Sequence, residues 1–264
     1  MSTLLIADHA ISLYSDDQLS KWFMLLRQWK INVELEVGVI KEWGPTSSKT
    51  FHAEYPIWDR VLRLNGPLTA IAMDEPYAAA KNLKLSPEYA FNEVRNFATL
   101  TRERYGKRLI IGDIEPYPSF TASTLEDWQD KLSSITNADG SKLISFFRID
   151  PDWTAFRNDI EGWKQLIPLQ FQTQHSGMFF SLIYWASPYP AALARGEATD
   201  QLWYTDVMAQ ASAVTRSGLQ IDESVHQIWV KGPIRIIPDT DRYTFMGTAI
   251  STASHSTNNY ISSP

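Results

Sequence analysis

The sequence predicts an α/β fold, specifically a (β/α)8 barrel of the TIM type in a single domain over 1–264, for three reasons. Short apolar runs alternate with segments of helical periodicity along the chain, which favours a parallel sheet. Four of these runs end in carboxylates, and three of the four are closed by a proline. No glycine-rich phosphate turn of the GxGxxG or Walker kind follows any of them, which disfavours a doubly wound nucleotide-binding sheet.

In the first half of the chain we expect strands at 3–7, 32–39, 69–76 and 109–116. Ser15, which precedes two aspartates, is a typical helix N-cap, and a helical apolar face follows it. Another helix is expected at 54–64, after an irregular loop. A further loop leads from the third strand to Ser86, which stands before Pro87 as at a typical helix start, and Gly106 is expected to end that helix.

In the second half we expect strands at 144–151, 178–185 and 225–231, a helix that opens at Thr124, and helices at 155–169 and 200–216. The end of the chain, 251–264, is rich in Ser, Thr and Asn and is expected to be a surface tail. These segments give seven strands. An eighth would lie near the N-terminus or at 243–250, and otherwise the barrel has one strand missing or irregular.

Composition sets limits on the class of protein. The chain has 264 residues, 44% of them hydrophobic, which suffices for a barrel of about 250 residues. A net charge of −6 argues against a nucleic-acid partner, and the lack of cysteine excludes disulfides and thiol nucleophiles. With no run of eighteen apolar residues and no signal segment, we expect a soluble protein with no membrane partner. It would be secreted or periplasmic if a leader was removed and cytoplasmic otherwise; its oligomeric state is open.

Carboxylates gather at the predicted strand ends. Because side chains alternate along a strand, Asp113 and Glu115 share one face of theirs, and Glu34 and Glu36 share one face of an earlier strand. Crowded and partly buried acids repel one another, so that one stays protonated while another stays charged. The candidate catalytic residues are Glu115, Asp113, Glu75, Asp74 and Glu36.

Aromatic and polar side chains accompany these acids on the predicted strands and loops. Flat aromatic faces with polar edges are suited to stacking on sugar rings, and acids beside aromatics at the mouth of a barrel are typical of glycoside hydrolysis. The candidate substrate-binding residues are Asp150, Arg148, Tyr117, Trp153, Tyr184, Trp185, Trp229 and Lys231.

Two short motifs resemble glycoside hydrolases of the TIM-barrel superfamily, without a close family match. Asp113-Ile114-Glu115 resembles the end of the D-x-D-x-E motif of chitinase-type enzymes, with Ile111 at the position of the earlier acid. That resemblance implies an acid role for Glu115 and a substrate-orienting role for Asp113. Glu75-Pro76 is similar to the strand-four Asn-Glu-Pro of many retaining barrel glycosidases, with Asp74 at the Asn position.

We therefore interpret the chain as a glycoside hydrolase-like enzyme that acts on an oligo- or polysaccharide. Glu115 would be the general acid, Asp113 would tune its pKa, and Glu75 would be the second carboxylate. The further candidates for the second carboxylate are Glu36, Asp74 and Asp150. No cofactor or metal ion is expected, because the five histidines show no ligand spacing such as H-E-x-x-H.

Two other functions stay open. A barrel that binds a glycan without cleaving it fits late strands that carry Trp185 and Lys231 but no carboxylate. A metal-dependent lyase or isomerase would use oxygen ligands from the same acids, with Lys231 as the base. The candidate ligands for that metal are Glu36, Asp74, Asp113 and Glu115.

Each of these side chains also has a structural interpretation. Any one acid could serve as a helix cap or an ion-pair partner, and Glu34 in particular is expected to pair with Arg148. Trp22 and Trp29 lie at helical spacing and are expected in the core. Two further helical tryptophans are expected to pack rather than bind ligand, namely Trp128 and Trp163.

Overall fold

A computed structural model describes residues 2–157, 159–227 and 231–261. The chain divides into two compact units. The first comprises the chain up to Glu115 together with Trp128–Arg148 and Ser176–Met178, and the second comprises the rest. The sequence-based assignment of one domain over 1–264 stays a prediction.

Seven strands form one sheet in which every strand neighbours the next one along the chain. Their bounds are β1 Ser2–Ala7, β2 Ile31–Val37, β3 Leu68–Asp74, β4 Ile110–Tyr117, β5 Phe146–Pro151, β6 Phe179–Tyr184 and β7 Glu223–His226. The β1–β2, β2–β3, β3–β4 and β6–β7 pairs are parallel. A doubly wound sheet would reverse its order at a switch point, so the order of these seven strands, in the part of the chain described, is consistent with an α/β fold of the TIM type.

The strands alternate with helices, as the sequence predicts. The helices are α1 Asp8–Ile11, α2 Asp16–Gln28, α3 Ser47–Arg63, α4 Pro76–Asn82, α5 Pro87–Tyr105, α6 Ala122–Ser133, α7 Ile160–Lys164, α8 Ile167–His175, α9 Tyr189–Ala194, α10 Asp200–Ser217 and α11 Phe245–Ile261. Short 3-10 turns cover Gly106–Arg108 and Trp153–Phe156. Among the described residues, no helix has both the length and the apolar composition needed to cross a bilayer.

The predicted helix boundaries are confirmed where local capping sets them. The Ser15 hydroxyl accepts from the N–H of Gln18, whose side chain accepts from the N–H of Ser15, which completes a capping box at the start of α2. The Ser86 hydroxyl caps α5 by accepting from the N–H of Tyr89, and Gly106 ends that helix with a φ of 60°.

Three predicted segments in the middle of the chain differ. Helix α3 begins at Ser47 rather than at residue 54, because the Thr46 side chain caps it. Helix α4 replaces the predicted loop after the third strand. The predicted helix 155–169 is divided among a 3-10 turn, α7 and the start of α8.

The C-terminal part also differs from the prediction. Residues 245–250 of the segment proposed as an eighth strand are helical, since α11 begins at Phe245. The same helix covers most of the expected tail, up to Ile261. Strand β7 ends at His226, residues 228–230 of the expected strand lie outside the described residues, and Lys231 lies in a bend.

The core of the first unit lies where β2 and β3 meet α3 and α5. Its fully buried side chains include Val33, Leu35, Ile71, Met73, Trp58 and Phe97. Trp128 and Trp163 are buried as expected, the latter in the second unit, whereas Trp29 is 61% exposed and is not a core residue. It occupies the C-cap position of α2, beyond the buried apolar face of that helix, which ends at Leu26.

The buried ion pair between Arg148 and Glu34 is confirmed. It joins β5 to β2, which have two strands between them in the sheet. The Arg148 guanidinium also lies 4.5 Å from the Phe146 ring centroid. Gly112 makes room for that ring, because a Cβ there would approach it to 2.1 Å.

Candidate functional site

The first unit brings four of the predicted catalytic acids together. Asp74 ends β3 and Glu75 follows it, while Asp113 and Glu115 lie on the adjacent strand β4, whose register pairs Met73 with Asp113. The N–H of Glu75 donates to the carbonyl oxygen of Ile114 at 3.0 Å, which fixes the strand end. These acids lie at the carboxyl ends of parallel strands, where such folds build their sites.

Asp113 is fully buried and tied to a tryptophan. Its Oδ2 accepts from Nε1 of Trp128 at 2.9 Å, and the other oxygen has no hydrogen-bond partner among the described residues. Trp128 stacks on Tyr77 with 4.6 Å between ring centroids. Burial raises the pKa of Asp113 well above its usual value against the Trp128 hydrogen bond, and the nearby acids raise it further.

Glu115 is also fully buried, and the backbone of α4 holds both its oxygens. Oε1 accepts from the N–H of Tyr77 at 2.7 Å and Oε2 from the N–H of Ala78 at 3.2 Å. Burial, and next the charge of Asp113, raise the pKa of Glu115, while these two N–H groups lower it. Both carboxyls of β4 therefore have raised pKa values, and burial is the main cause in each.

Glu75 differs from both, because its side chain is half-buried and not used to cap the helix it precedes. It occupies the N-cap position of α4 with φ 49° and ψ 49°, and makes no side-chain capping bond there. Burial raises the pKa of Glu75 to about 7, with a further increase from Asp74 and an opposing effect of Lys41. A carboxyl of this kind exchanges its proton near neutral pH.

Asp74 forms an ion pair with Lys41, a residue of the loop after β2. The Lys41 ammonium also lies 3.4 Å from the backbone oxygen of Asp74. Both side chains remain partly exposed. Asp74 is thus paired with a cation, whereas the neighbouring Glu75 has its pKa raised to about 7. Two acids in such different environments are the usual basis for dividing the acid and base roles.

A cavity of about 460 Å³ opens beside Asp74 at the ends of β1, β2 and β3. Its lining consists of Ala7, Asp8, His9, Glu36, Val37, Gly38, Lys41, Trp43, Ala53, Glu54, Ile57 and Asp74. Of the sequence-predicted acids it contains Glu36 and Asp74. The sequence reasoning missed Asp8, Lys41, Trp43 and Glu54, although Asp8 directly follows a strand and Trp43 follows the strand that carries Glu36.

Glu54 and Asp8 are the most buried acids of this cavity, each 6% exposed. Glu54 Oε1 accepts from the N–H of Gly38 at 3.0 Å. Glu54 Oε2 and Asp8 Oδ2 have no hydrogen-bond partner within the described chain. Burial, reinforced by the charge of Asp8, raises the pKa of Glu54 to about 9. Burial also raises the pKa of Asp8, against a smaller opposing effect of the Trp58 indole.

The predicted aromatic platforms belong to the second unit and are mostly packed. Tyr117 is buried with its hydroxyl donating to the Gly162 oxygen at 2.8 Å, and Tyr184 is buried against His226. Trp153 is buried and donates from Nε1 to the oxygen of Trp185 at 3.2 Å. Stacking on a sugar needs an open ring face, so among these rings half-buried Trp185 suits that role best.

The remaining predicted binding residues are dispersed. Arg148 is fully buried in its pair with Glu34, Asp150 is half-buried at the end of β5, and Lys231 is exposed. Trp229 lies outside the described residues. Within the described ranges, no group of three or more His, Cys, Asp or Glu side chains is arranged to hold a metal ion.

No family model matches the sequence, and neither does any curated protein. The fold is similar to three solved structures at 11% identity each. A D-psicose 3-epimerase determined with D-fructose has a TM-score of 0.47 over 96% of this chain and 80% of its own. D-psicose 3-epimerase from Clostridium cellulolyticum H10 with D-tagatose has 0.49 over 98% and 89%. Bacteroides uniformis β-glucuronidase has 0.48 over 81% of this chain but 28% of its own. The likeness concerns the fold alone.

Proposed function

We propose that this chain acts on a saccharide by carboxylic acid/base chemistry of the glycoside hydrolase type, at the carboxyl ends of β1 to β4. The observation that carries the proposal is the unequal pair of Glu75 and Asp74. Glu75 is a half-buried carboxyl whose pKa is raised to about 7, and Asp74 is paired with Lys41. Glycosidases need one protonated and one charged carboxyl at the scissile bond.

Glu75 is assigned the proton-donor role in preference to Glu115. A general acid must reach the leaving oxygen, whereas Glu115 has no exposed surface and uses both oxygens on the backbone of α4. Glu115 is instead a positioning residue that holds Glu75, through α4, in its place. Asp113, fully buried against Trp128, supports the same framework.

In the reaction, the Glu75 carboxyl gives its proton to the glycosidic oxygen as the bond from that oxygen to the anomeric carbon breaks. Asp74 supplies the second carboxylate, either by bonding to the anomeric carbon or by accepting a proton from the attacking water. Carboxyl groups about 5–5.5 Å apart in the substrate complex indicate the first route, and about 6.5–9.5 Å the second.

A glycan-binding protein without hydrolytic activity is the second candidate. It is favoured by the ion pair that already engages Asp74 and by the burial of Asp113 and Glu115. In that case the half-buried acids Asp74 and Glu75 would serve as hydrogen-bond partners for sugar hydroxyls.

The test is sugar release from a panel of oligo- and polysaccharides by the wild type, Glu75→Gln and Glu42→Gln. Glu42 is an exposed acid near the site, so its variant makes the same charge change without touching the proposed machinery. We expect release by wild type and Glu42→Gln and a loss of at least about 100-fold in Glu75→Gln. Full activity in Glu75→Gln would refute the assignment. Binding without release by the wild type would favour the second candidate.

A further inference from the structure

The cavity beside Asp74 contains two buried carboxyl oxygens to which none of the described residues donates a hydrogen bond. Asp8 and Glu54 are each more than nine-tenths buried and line the cavity, and each has one oxygen without a hydrogen-bond partner in the described part of the chain. Leaving such a group buried and unpaired is unfavourable. A bound molecule with hydrogen-bond donors would remove that cost.

The charges around the cavity favour a cationic donor. Its lining carries four acids, Asp8, Glu36, Glu54 and Asp74, against the cationic side chain of Lys41 and the titratable ring of His9. Lys41 is engaged by Asp74. Glu54, whose pKa is raised to about 9, is protonated near neutral pH and becomes a carboxylate when a cation binds beside it. An ammonium group, which has N–H donors and a positive charge, complements that carboxylate and Asp8 better than a neutral hydroxyl does.

The rim of the cavity suits a ring. Trp43 lines it and is 51% exposed, so its indole presents apolar surface beside the acids. An indole face favours both the apolar side of a sugar ring and a nearby cation. The volume of about 460 Å³ lies within the range of small-molecule pockets.

We propose that this cavity binds a saccharide unit that carries a protonated amino group, with the ammonium between Asp8 and Glu54 and the sugar ring against Trp43. The inference rests on the proposed action on saccharides and adds the chemical class of the bound unit. Binding of the cation favours the charged forms of both acids, so it should release protons near neutral pH.

The experiment is calorimetric binding of three trimers of the same linkage, made of glucosamine, N-acetylglucosamine and glucose, near pH 6.5 and at low salt. It is carried out on the Glu75→Gln protein, which binds without turnover. We expect the glucosamine trimer to bind about tenfold more tightly than either neutral trimer, with heat that depends on the buffer because protons are released. Added salt should reduce this preference.

Variants locate the effect in the cavity. Glu54→Gln and Asp8→Asn should each remove the preference for the amine. Trp43→Ala should weaken the binding of all three trimers. Glu42→Gln should leave the three affinities unchanged. Each variant is first shown to unfold cooperatively. Equal affinity for the three trimers, or a preference that survives both Glu54→Gln and Asp8→Asn, would overturn the inference. Wild-type release from neutral sugars without amine preference would overturn it while leaving the proposed hydrolase intact. Amine-selective binding without release of any sugar would support the inference and overturn the proposed hydrolase activity.

Discussion

Glu115 of β4 caps helix α4 from 38 positions along the chain, since its Oε1 accepts from the backbone N–H of Tyr77 at 2.7 Å. The capping acceptor for α4 is therefore a side chain of a neighbouring strand, while Glu75 at the N-cap position makes no such bond. The two roles are separated, with one acid satisfying the helix and the other left at the strand end.

Replacing Glu115 tests this arrangement. Glu115→Gln exchanges one accepting oxygen for an NH2 group that faces a backbone N–H, so we expect the free energy of unfolding to fall by about 1–3 kcal/mol. Urea unfolding measures this, with Glu103→Gln, an exposed acid of α5, as the control. Sugar release should fall as well, because α4 positions Glu75. Unchanged stability and activity would contradict the positioning role.

The backbone of Glu75 gives a second prediction. Its φ of 49° is left-handed, a conformation that costs about 1 kcal/mol for a residue with a Cβ. Glu75→Gly should therefore be more stable than Glu75→Ala by about that amount, while both lose activity. Lys84, with φ 58° in the turn after α4, is the matched position: its Gly variant should also exceed its Ala variant in stability, but with activity retained. The same stability for both Glu75 variants would argue against a strained backbone.

Glu54 makes stability depend on pH. In the unfolded chain its carboxyl loses a proton near its ordinary pKa of 4.5, but the folded protein raises that pKa to about 9. Between these values the folded state binds more protons than the unfolded state, so stability should fall as pH rises, by up to about 1.4 kcal/mol per pH unit. Unfolding measured at pH 6 and pH 8 should show this slope reduced in Glu54→Gln and kept in Glu42→Gln. If Glu54→Gln leaves the pH dependence of the free energy of unfolding unchanged, Glu54 is not protonated in the folded state.

Trp128→Phe removes the N–H donor to Asp113 and keeps a ring against Tyr77. Because Asp113 then loses its hydrogen-bond donor while still buried, we expect the free energy of unfolding to fall by about 1–3 kcal/mol more than the smaller ring alone would cause. Trp163→Phe is the comparison, since the Trp163 Nε1 is buried without a hydrogen-bond partner among the described residues. Equal losses in chemical unfolding would show that the bond to Asp113 contributes little.

Local signals account for what the sequence predicted well. Ser15 and Ser86 cap helices through neighbours three residues away, and apolar runs mark the strands that carry Asp74 and Asp113. Helix α4 lacked such a signal, because the acceptor that caps it comes from Glu115 in a different strand. At the C-terminus the composition predicted a surface tail, but the stretch rich in Ser, Thr and Asn forms most of α11.

The site shows the same division. Strand alternation predicted the acids of β3 and β4 as candidates, since these acids lie towards the ends of the strands that the pattern predicts. It could not identify Glu54, which reaches the cavity from the middle of α3. It also could not rank Glu75 above Glu115, because their difference lies in burial and in the backbone partners that only the folded chain provides.

The pair of Arg148 and Glu34 has a consequence for how the protein is made. The two residues are 114 positions apart in the chain, so a nascent chain has completed β1 to β4 before the partner of Glu34 exists. Until then Glu34 must stay solvated, since a buried lone carboxylate is costly. Synthesis of β5 is thus required before the first unit can bury Glu34 as an ion pair, and a fragment that ends before Arg148 should remain open and prone to proteolysis.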